Sequence, residues 1–229
     1  MKFFSYLVDL FYPRLCHACG RALLEHEFVL CNYCVVQLPK TNFHDKKDNP
    51  IEVLFWGRAD ITAATAYYKY QKEGKVQKLI HHLKYDGFQE IGLYVGEVLG
   101  AELAASRRFA DLDLIVPVPL HKSKLRKRGF NQSSLFAQGL SKTMEIPMDD
   151  TNLYRKIASS SQTKKSRWER YKNVHDIFGV ENPELFRERK ILLVDDVITT
   201  GSTIEACTTV LKSVDGVDVY VASMATAAY

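Results

Sequence analysis

The stretch from Ile191 to Thr203, Ile-Leu-Leu-Val-Asp-Asp-Val-Ile-Thr-Thr-Gly-Ser-Thr, constrains this chain more than any other. Its four apolar residues, Ile191 to Val194, predict a strand buried on both faces, as the central strands of a parallel sheet are. Two carboxylates, Asp195 and Asp196, follow at its carboxyl end, where open α/β sheets place their ligands. Small hydroxyl residues around Gly201 come next. Ser202 or Thr203 is then expected to cap a helix whose apolar side is Ile204, Cys207, Val210, Leu211 and Val214.

A loop of this composition can surround a phosphate. Gly201 allows a tight turn, successive amide hydrogens can point inward, and the new helix offers its positive end. Thr199, Thr200, Ser202 and Thr203 add hydroxyl donors. Two aspartates repel a phosphate but suit the hydroxyls of a sugar attached to one. A buried strand and a polar turn alone would explain Ile191 to Val194, but not the ordered hydroxyls after two carboxylates.

At 229 residues there is room for one α/β domain and a small module, and 46% hydrophobic with 25% charged residues is ordinary for a globular protein. No apolar run approaches the ~20 residues of a membrane span. The first fifteen residues place Phe3, Leu7, Leu10 and Phe11 at helical spacing, with Asp9 among them and no small-residue cleavage site. A helix docked on the chain's own body is expected rather than a signal peptide, with a membrane-surface role as the alternative. The expected location is cytoplasmic, peripheral at the inner membrane in that alternative. The net charge of +4 is unevenly spread: residues 120 to 175 hold thirteen Lys and Arg against four Asp and Glu. Such a segment suits a polyanion, either pyrophosphate or nucleic acid.

Cys16-x2-Cys19 and Cys31-x2-Cys34 flank an eleven-residue loop. Two thiolate pairs so spaced can complete a closed tetrahedral zinc site; a four-thiolate iron site uses similar spacing, and disulfides fit poorly without an export signal. Structural zinc is expected. His17 and His26 then have no required role, and Cys207 reads as core.

Residues 39 to 50 turn polar between two prolines and form the candidate linker, so that a module at 1–40 precedes a main domain at 51–229. Ile61 to Tyr70 reads as a strand. Val76, Leu79, Ile80 and Leu83 mark an amphipathic helix ending near Gly87, with His81 and His82 on different faces, a poor metal pair. Ile91 to Phe109 is a second helix. Leu112 to Pro119 is a strand, followed by a basic loop, Leu120 to Gln132, and a helix from Asn131 to Met144. Tyr154 to Asn173 is polar and serine-rich, a candidate active-site cover. Phe178 and Val180 begin a strand leading to the binding loop, and Val217 to Ser223 is the last strand.

The Asp195–Thr203 stretch resembles the phosphoribosyl pyrophosphate (PRPP) motif of type I phosphoribosyltransferases. That resemblance implies a parallel sheet with flanking helices, ribose hydroxyls on Asp195 and Asp196, and the 5-phosphate on Thr199, Thr200, Gly201, Ser202 and Thr203. With the four cysteines, Leu83-Lys84-Tyr85, Pro117-Val118-Pro119-Leu120 and Arg128-Gly129-Phe130-Asn131-Gln132, the chain resembles the ComF family, bacterial proteins linked to DNA uptake in natural competence. Arg155, Gln162, Arg170 and Asn173 also resemble that family's basic segment. Such sequences are often called amidophosphoribosyltransferases. A glutaminase would need a nucleophilic cysteine at the mature N-terminus; Met1 precedes Lys2 here and every nearby cysteine is in a metal-spaced pair, so glutamine use is not expected.

These resemblances imply Mg²⁺ bound with PRPP, and Leu120, Arg126, Arg128 and Lys84 as candidates for the pyrophosphate. Single-stranded DNA is the second expected partner, with Lys122, Lys124, Lys127, Lys164, Lys165, Arg167 and Arg170 tracking phosphates and Phe130, Trp168 and Tyr171 available for stacking. Machinery of DNA uptake at the inner membrane is the implied setting. The alternative is an active transferase moving ribose 5-phosphate from PRPP to a nitrogen acceptor. No residue in the sequence marks that acceptor.

Overall fold

Burying Ile191 to Val194 on both faces requires helices above and below them, and the chain supplies both. A computed structural model describes residues 12–156 and 177–228. Within them a four-stranded parallel sheet has the order β1-β6-β5-β2, with β1 at Ala63–Lys69, β2 at Leu114–Pro117, β5 at Lys190–Ile198 and β6 at Asp218–Thr226. The inner strands β5 and β6 pair from Lys190 with Asp218 to Ile198 with Thr226. Alternation divides the core: Leu192 and Val194 face one apolar cluster, Ile191 and Leu193 the other.

On the first face lie α3 (Lys75–His81), α4 (Glu90–Ala105) and α6 (Gln132–Met144). The cysteine-bearing segment packs into the same cluster, with Cys16, Val29, Cys34 and Leu38 buried beside Tyr67, Val76 and Leu79. The second face is covered by α2 (Pro50–Phe55) and α7 (Ser202–Leu211). Short helix α1 (Asn32–Gln37) carries Cys34. Among the described residues no helix is long and apolar enough to cross a membrane.

Helices α4 and α6 touch backbone to backbone. A Cβ on Gly96 would stand 2.3 Å from the Phe136 carbonyl oxygen, and one on Gly139 would stand 2.2 Å from that of Leu93. Only glycine allows that approach, and it brings the first turn of α6 over the end of β5.

The polar segment expected to be a linker is stitched along the edge of β1. Lys69 N–H donates to Pro39 O (2.8 Å), Thr41 N–H to Tyr67 O (3.0 Å), and the Asn49 amide to Ala64 O (2.8 Å). The open edge of the sheet is thereby paired.

Three expectations need correction. The basic loop is largely a helix, α5 (Lys122–Arg128): its Lys, Leu and Arg are good helix formers, the His121 ring caps its start and Gly129, at φ 81°, stops it. Phe178 and Val180 do not run into the binding strand. They lie in β4 (Phe178–Val180), which pairs antiparallel with β3 (Leu153–Arg155) as a separate ribbon, because Asn182 and Pro183 start a 3-10 turn before β5. The expected cap at Ser202 or Thr203 is instead Gly201, at φ 76°. The helix expected to end near Gly87 does so, but α3 widens first into a π turn at His82–Asp86 before Gly87 ends it in the left-handed region. The expected features at Gln162, Lys164, Lys165, Arg167, Trp168, Arg170, Tyr171 and Asn173, and the first helix up to residue 11, lie outside the described residues.

Gly96→Ala is expected to cost about 3 kcal/mol, the upper part of the range for overpacking, because backbone rather than a movable side chain must yield. Denaturant unfolding of the variant checks it; a loss below ~1 kcal/mol would contradict the contact.

Candidate functional site

Strand β5 runs through both carboxylates, so Asp195 and Asp196 leave the sheet at its carboxyl end as part of a rigid strand. Asp195 turns toward α6, where the Ser133 hydroxyl donates to its Oδ1 (3.0 Å); the Asp196 N–H donates to the same oxygen (2.8 Å). Ser133 is held in place by Asn131, whose side chain accepts from Ser133 N–H (3.2 Å) and donates to Val118 O at the end of β2 (3.0 Å). Asp196 meets Lys84 of the π turn, Nζ to Oδ2 2.8 Å, with the two side chains only 20% and 15% exposed. Burial, and then the neighbouring Asp196 charge, push the Asp195 carboxyl up to about 7. Near neutral pH it can therefore accept or donate a hydrogen bond.

After Ile198 the chain turns through Thr199, Thr200 and Gly201 into α7. Thr199, Thr200, Ser202 and Thr203 are exposed, whereas Gly201 is buried. A side chain at Gly201 would need a strained backbone and would meet Phe55 at 2.8 Å. Arg58 pins the loop from outside. Its guanidinium donates to Thr200 O (2.9 Å) and Leu54 O (3.2 Å) and pairs with Glu205 in the first turn of α7 (2.6 Å). The loop's backbone is thus anchored on α2 and its hydroxyls face outward.

The structure places the four expected pyrophosphate candidates differently. Lys84 is on the acidic pair itself. Arg128 donates to Gln132 Oε1 (2.7 Å) and lies 5.3 Å from the centre of the Tyr85 ring, next to Lys84 in sequence. Leu120 lines a cleft of about 600 Å³ together with Lys122, Phe130, Asn131, Tyr154 and Arg155. Arg126, Lys124 and Lys127 stand exposed on α5.

The four cysteine sulfurs lie within 4.8 Å of one another, all as free thiols, with Cys19 and Cys31 Sγ 3.7 Å apart. Gly20 turns the first knuckle at φ 74°, its N–H donating to Cys16 O (2.8 Å), and Cys31 N–H points at Cys16 Sγ (3.3 Å). Burial raises the Cys31 and Cys34 thiols, so thiolate character there calls for a cation. This donor set can hold a metal such as zinc.

Sequence reasoning missed Ser133 and Arg58. Asn131, two residues before a serine at a helix start, is a capping signal that could have located Ser133. Arg58 carries no signal, since Thr200 and Glu205, the partners that tie it to the loop, lie more than 140 residues away.

A family model described as the phosphoribosyl transferase domain matches residues 131–227. The DNA utilization protein YhgH of Escherichia coli strain K12 is 33% identical over 199 residues, which span 83% of this chain and 80% of that protein. Competence protein F of Haemophilus influenzae is 30% identical over 153 residues, 65% and 67% of the two chains, and competence protein ComFC of Bacillus subtilis is 34% identical over 91, or 40% and 35%. The chain belongs to the ComF family. The matched domain of this ComF protein opens at Asn131 and closes after β6, so it holds Ser133, both carboxylates and the loop, and leaves the cysteine module outside. Among solved structures, glutamine PRPP amidotransferase from B. subtilis aligns over 63% of this chain and 30% of its own, at 18% identity and a TM-score of 0.45.

A raised carboxyl binds its proton more tightly when folded, so stability is retained at low pH and lost as pH climbs from about 4 to about 7. Asp195→Asn removes that loss. The variant is expected to be more stable than wild type at pH 8 by at least about 1 kcal/mol and to show a flatter stability profile between pH 5 and 8. Equal melting temperatures at pH 8 would contradict a buried, charge-opposed Asp195.

Proposed function

We propose that this ComF protein binds Mg-PRPP, or a related sugar phosphate, and single-stranded DNA, and acts in DNA uptake. The observation that carries the proposal is the anchored turn at Gly201. It aligns four outward hydroxyls and the start of a ten-residue helix directly after two carboxylates on one strand. Asp195 and Asp196 take the ribose hydroxyls. Thr199, Thr200, Ser202 and Thr203, with the amide hydrogens around Gly201, take the 5-phosphate. Lys84 supplies the countercharge of Asp196 in the free protein and, with Arg128, is the cation we assign to the pyrophosphate of the ligand. Mg²⁺, bound with PRPP, would neutralise that diphosphate.

The names of the relatives, DNA utilization protein and competence protein, support the DNA-linked role. So does α5, whose Lys122, Lys124, Arg126 and Lys127 are exposed beside a cleft lined by Phe130 and Tyr154. Cations that track a backbone next to aromatic rings that stack on bases form a binding mode for single strands. That cleft also favours a second reading, in which it seats a planar nitrogen acceptor and the protein is a phosphoribosyltransferase. Release of pyrophosphate on adding an acceptor would mark that reaction. Zinc on Cys16, Cys19, Cys31 and Cys34 is structural in either case, since four protein ligands leave no open position.

Three outcomes test the proposal. Mg-PRPP at about 100 times its dissociation constant is expected to raise the wild-type melting temperature by several degrees, and Gly201→Val to abolish the shift. No shift in a folded wild type contradicts the sugar-phosphate site. Replacing Lys122, Lys124 and Lys127 with Ala should weaken single-stranded DNA and make the log–log salt slope shallower by up to about 2, at ~0.7 per phosphate contact; an unchanged slope removes α5 from the interface. Cys16→Ser should release the metal and lower the melting temperature, and a variant retaining both would overturn the structural zinc site.

A further inference from the structure

Two adjacent histidines on a regular helix point about 100° apart, and a residue five positions after the first falls outside the angle between them. At roughly 82° per residue, the wider π turn places that fifth residue between the two. This is what happens at the end of α3. Asp86 sits between His81 and His82, and both rings present Nδ1 to the same carboxylate oxygen, at 3.4 Å and 2.7 Å from Oδ2. The three donor atoms lie within 4.8 Å of one another. The rings are fixed from behind: His81 stacks on Tyr85 with centroids 4.9 Å apart, and His82 meets Phe88 edge-on at 5.6 Å.

The geometry points to a second, open metal site in which His81 Nδ1, His82 Nδ1 and the Asp86 carboxylate bind one divalent transition ion such as nickel or zinc. Ligands at about 2.0–2.2 Å from such an ion stand roughly 3.3 Å apart in a tetrahedral arrangement, so side-chain rotations that draw the three atoms from within 4.8 Å to that spacing admit it. Two imidazoles and one carboxylate suit a borderline metal rather than calcium or magnesium, which prefer all-oxygen cages. With three protein ligands, positions remain open for water or an exchangeable ligand. His81 and Asp86 are exposed, which gives solvent access to the site, and His82 also lines a cavity of about 360 Å³ with Cys16, His17 and Cys19. Lys84, on the same turn, reaches Asp196, so an ion here would brace the turn that carries that contact.

Nickel chloride titrated by calorimetry into the full chain, with its cysteines already metal-loaded, tests the site. One further equivalent is expected, with a dissociation constant in the micromolar range or below. His82→Ala and Asp86→Asn should each weaken it by at least about tenfold while keeping the native circular-dichroism spectrum and the metal of the cysteine site, whereas His121→Ala, at the start of α5, should leave it intact. Cobalt bound there should show weak visible bands without the thiolate charge-transfer bands of the cysteine site. Either of two results overturns the inference: no extra equivalent, or an equivalent that survives when His81, His82 and Asp86 are all replaced, which means an adventitious ion only.

Discussion

The parallel pairing of β5 with β6 is the constraint from which the rest follows. It runs from Lys190 to Ile198 and buries Ile191 to Val194 completely, which forces helical cover on both faces of the sheet. Because the pairing continues past Asp195 and Asp196, two carboxylates are held on a strand that cannot relax away from its neighbours. The glycine contact between α4 and α6 then lowers Ser133 onto Asp195, and the π turn brings Lys84 to Asp196. Each carboxylate receives its own partner from a different part of the first face.

Burying Asp195 at the strand end costs stability, the neighbouring Asp196 charge adds to that cost, and the raised Asp195 carboxyl reflects both in that order. A sugar that brings hydroxyl donors to both oxygens would relieve it. The loop after the strand follows a different principle: its hydroxyls are left outward while its backbone is fixed by Arg58, Leu54 and Phe55 from α2 and the residues after it. The backbone is rigid, and among the hydroxyls Thr200 Oγ1 and Ser202 Oγ lie 3.1 Å apart, a bond that an incoming phosphate would have to exchange. The cysteine module shares the first-face core with α3, so metal held there would support the turn that carries Lys84.

Much of this was legible in the residues. Four apolar positions before two aspartates specify a central strand, and the hydroxyl run around one glycine specifies the loop. The paired knuckles at 16–19 and 31–34 bring four sulfurs together as their spacing implies. What stayed hidden depends on tertiary contact or on small backbone choices. Arg58 meets Thr200 and Glu205 only in the folded chain. The π turn differs from an α-helix by a slight widening that no residue pattern announces, yet it turns His81 and His82 from divergent side chains into a converging set. The basic stretch after Leu120 was read by charge, which says nothing about backbone; helix propensity and Gly129 decide that it is α5. The Phe178–Val180 strand stops short of the binding strand and pairs with Leu153–Arg155, because apolar content alone does not fix where a short strand ends or which neighbour it pairs with.

Asp195 and Asp196, with the loop after them, are the sugar-phosphate site we propose. Calorimetric titration of Mg-PRPP into the wild type and into the Asp195→Asn, Asp196→Asn double variant tests it most directly. One equivalent bound by the wild type and none by a folded double variant is the predicted result. No binding to a folded, metal-loaded wild type, or equal binding to both proteins, would contradict it.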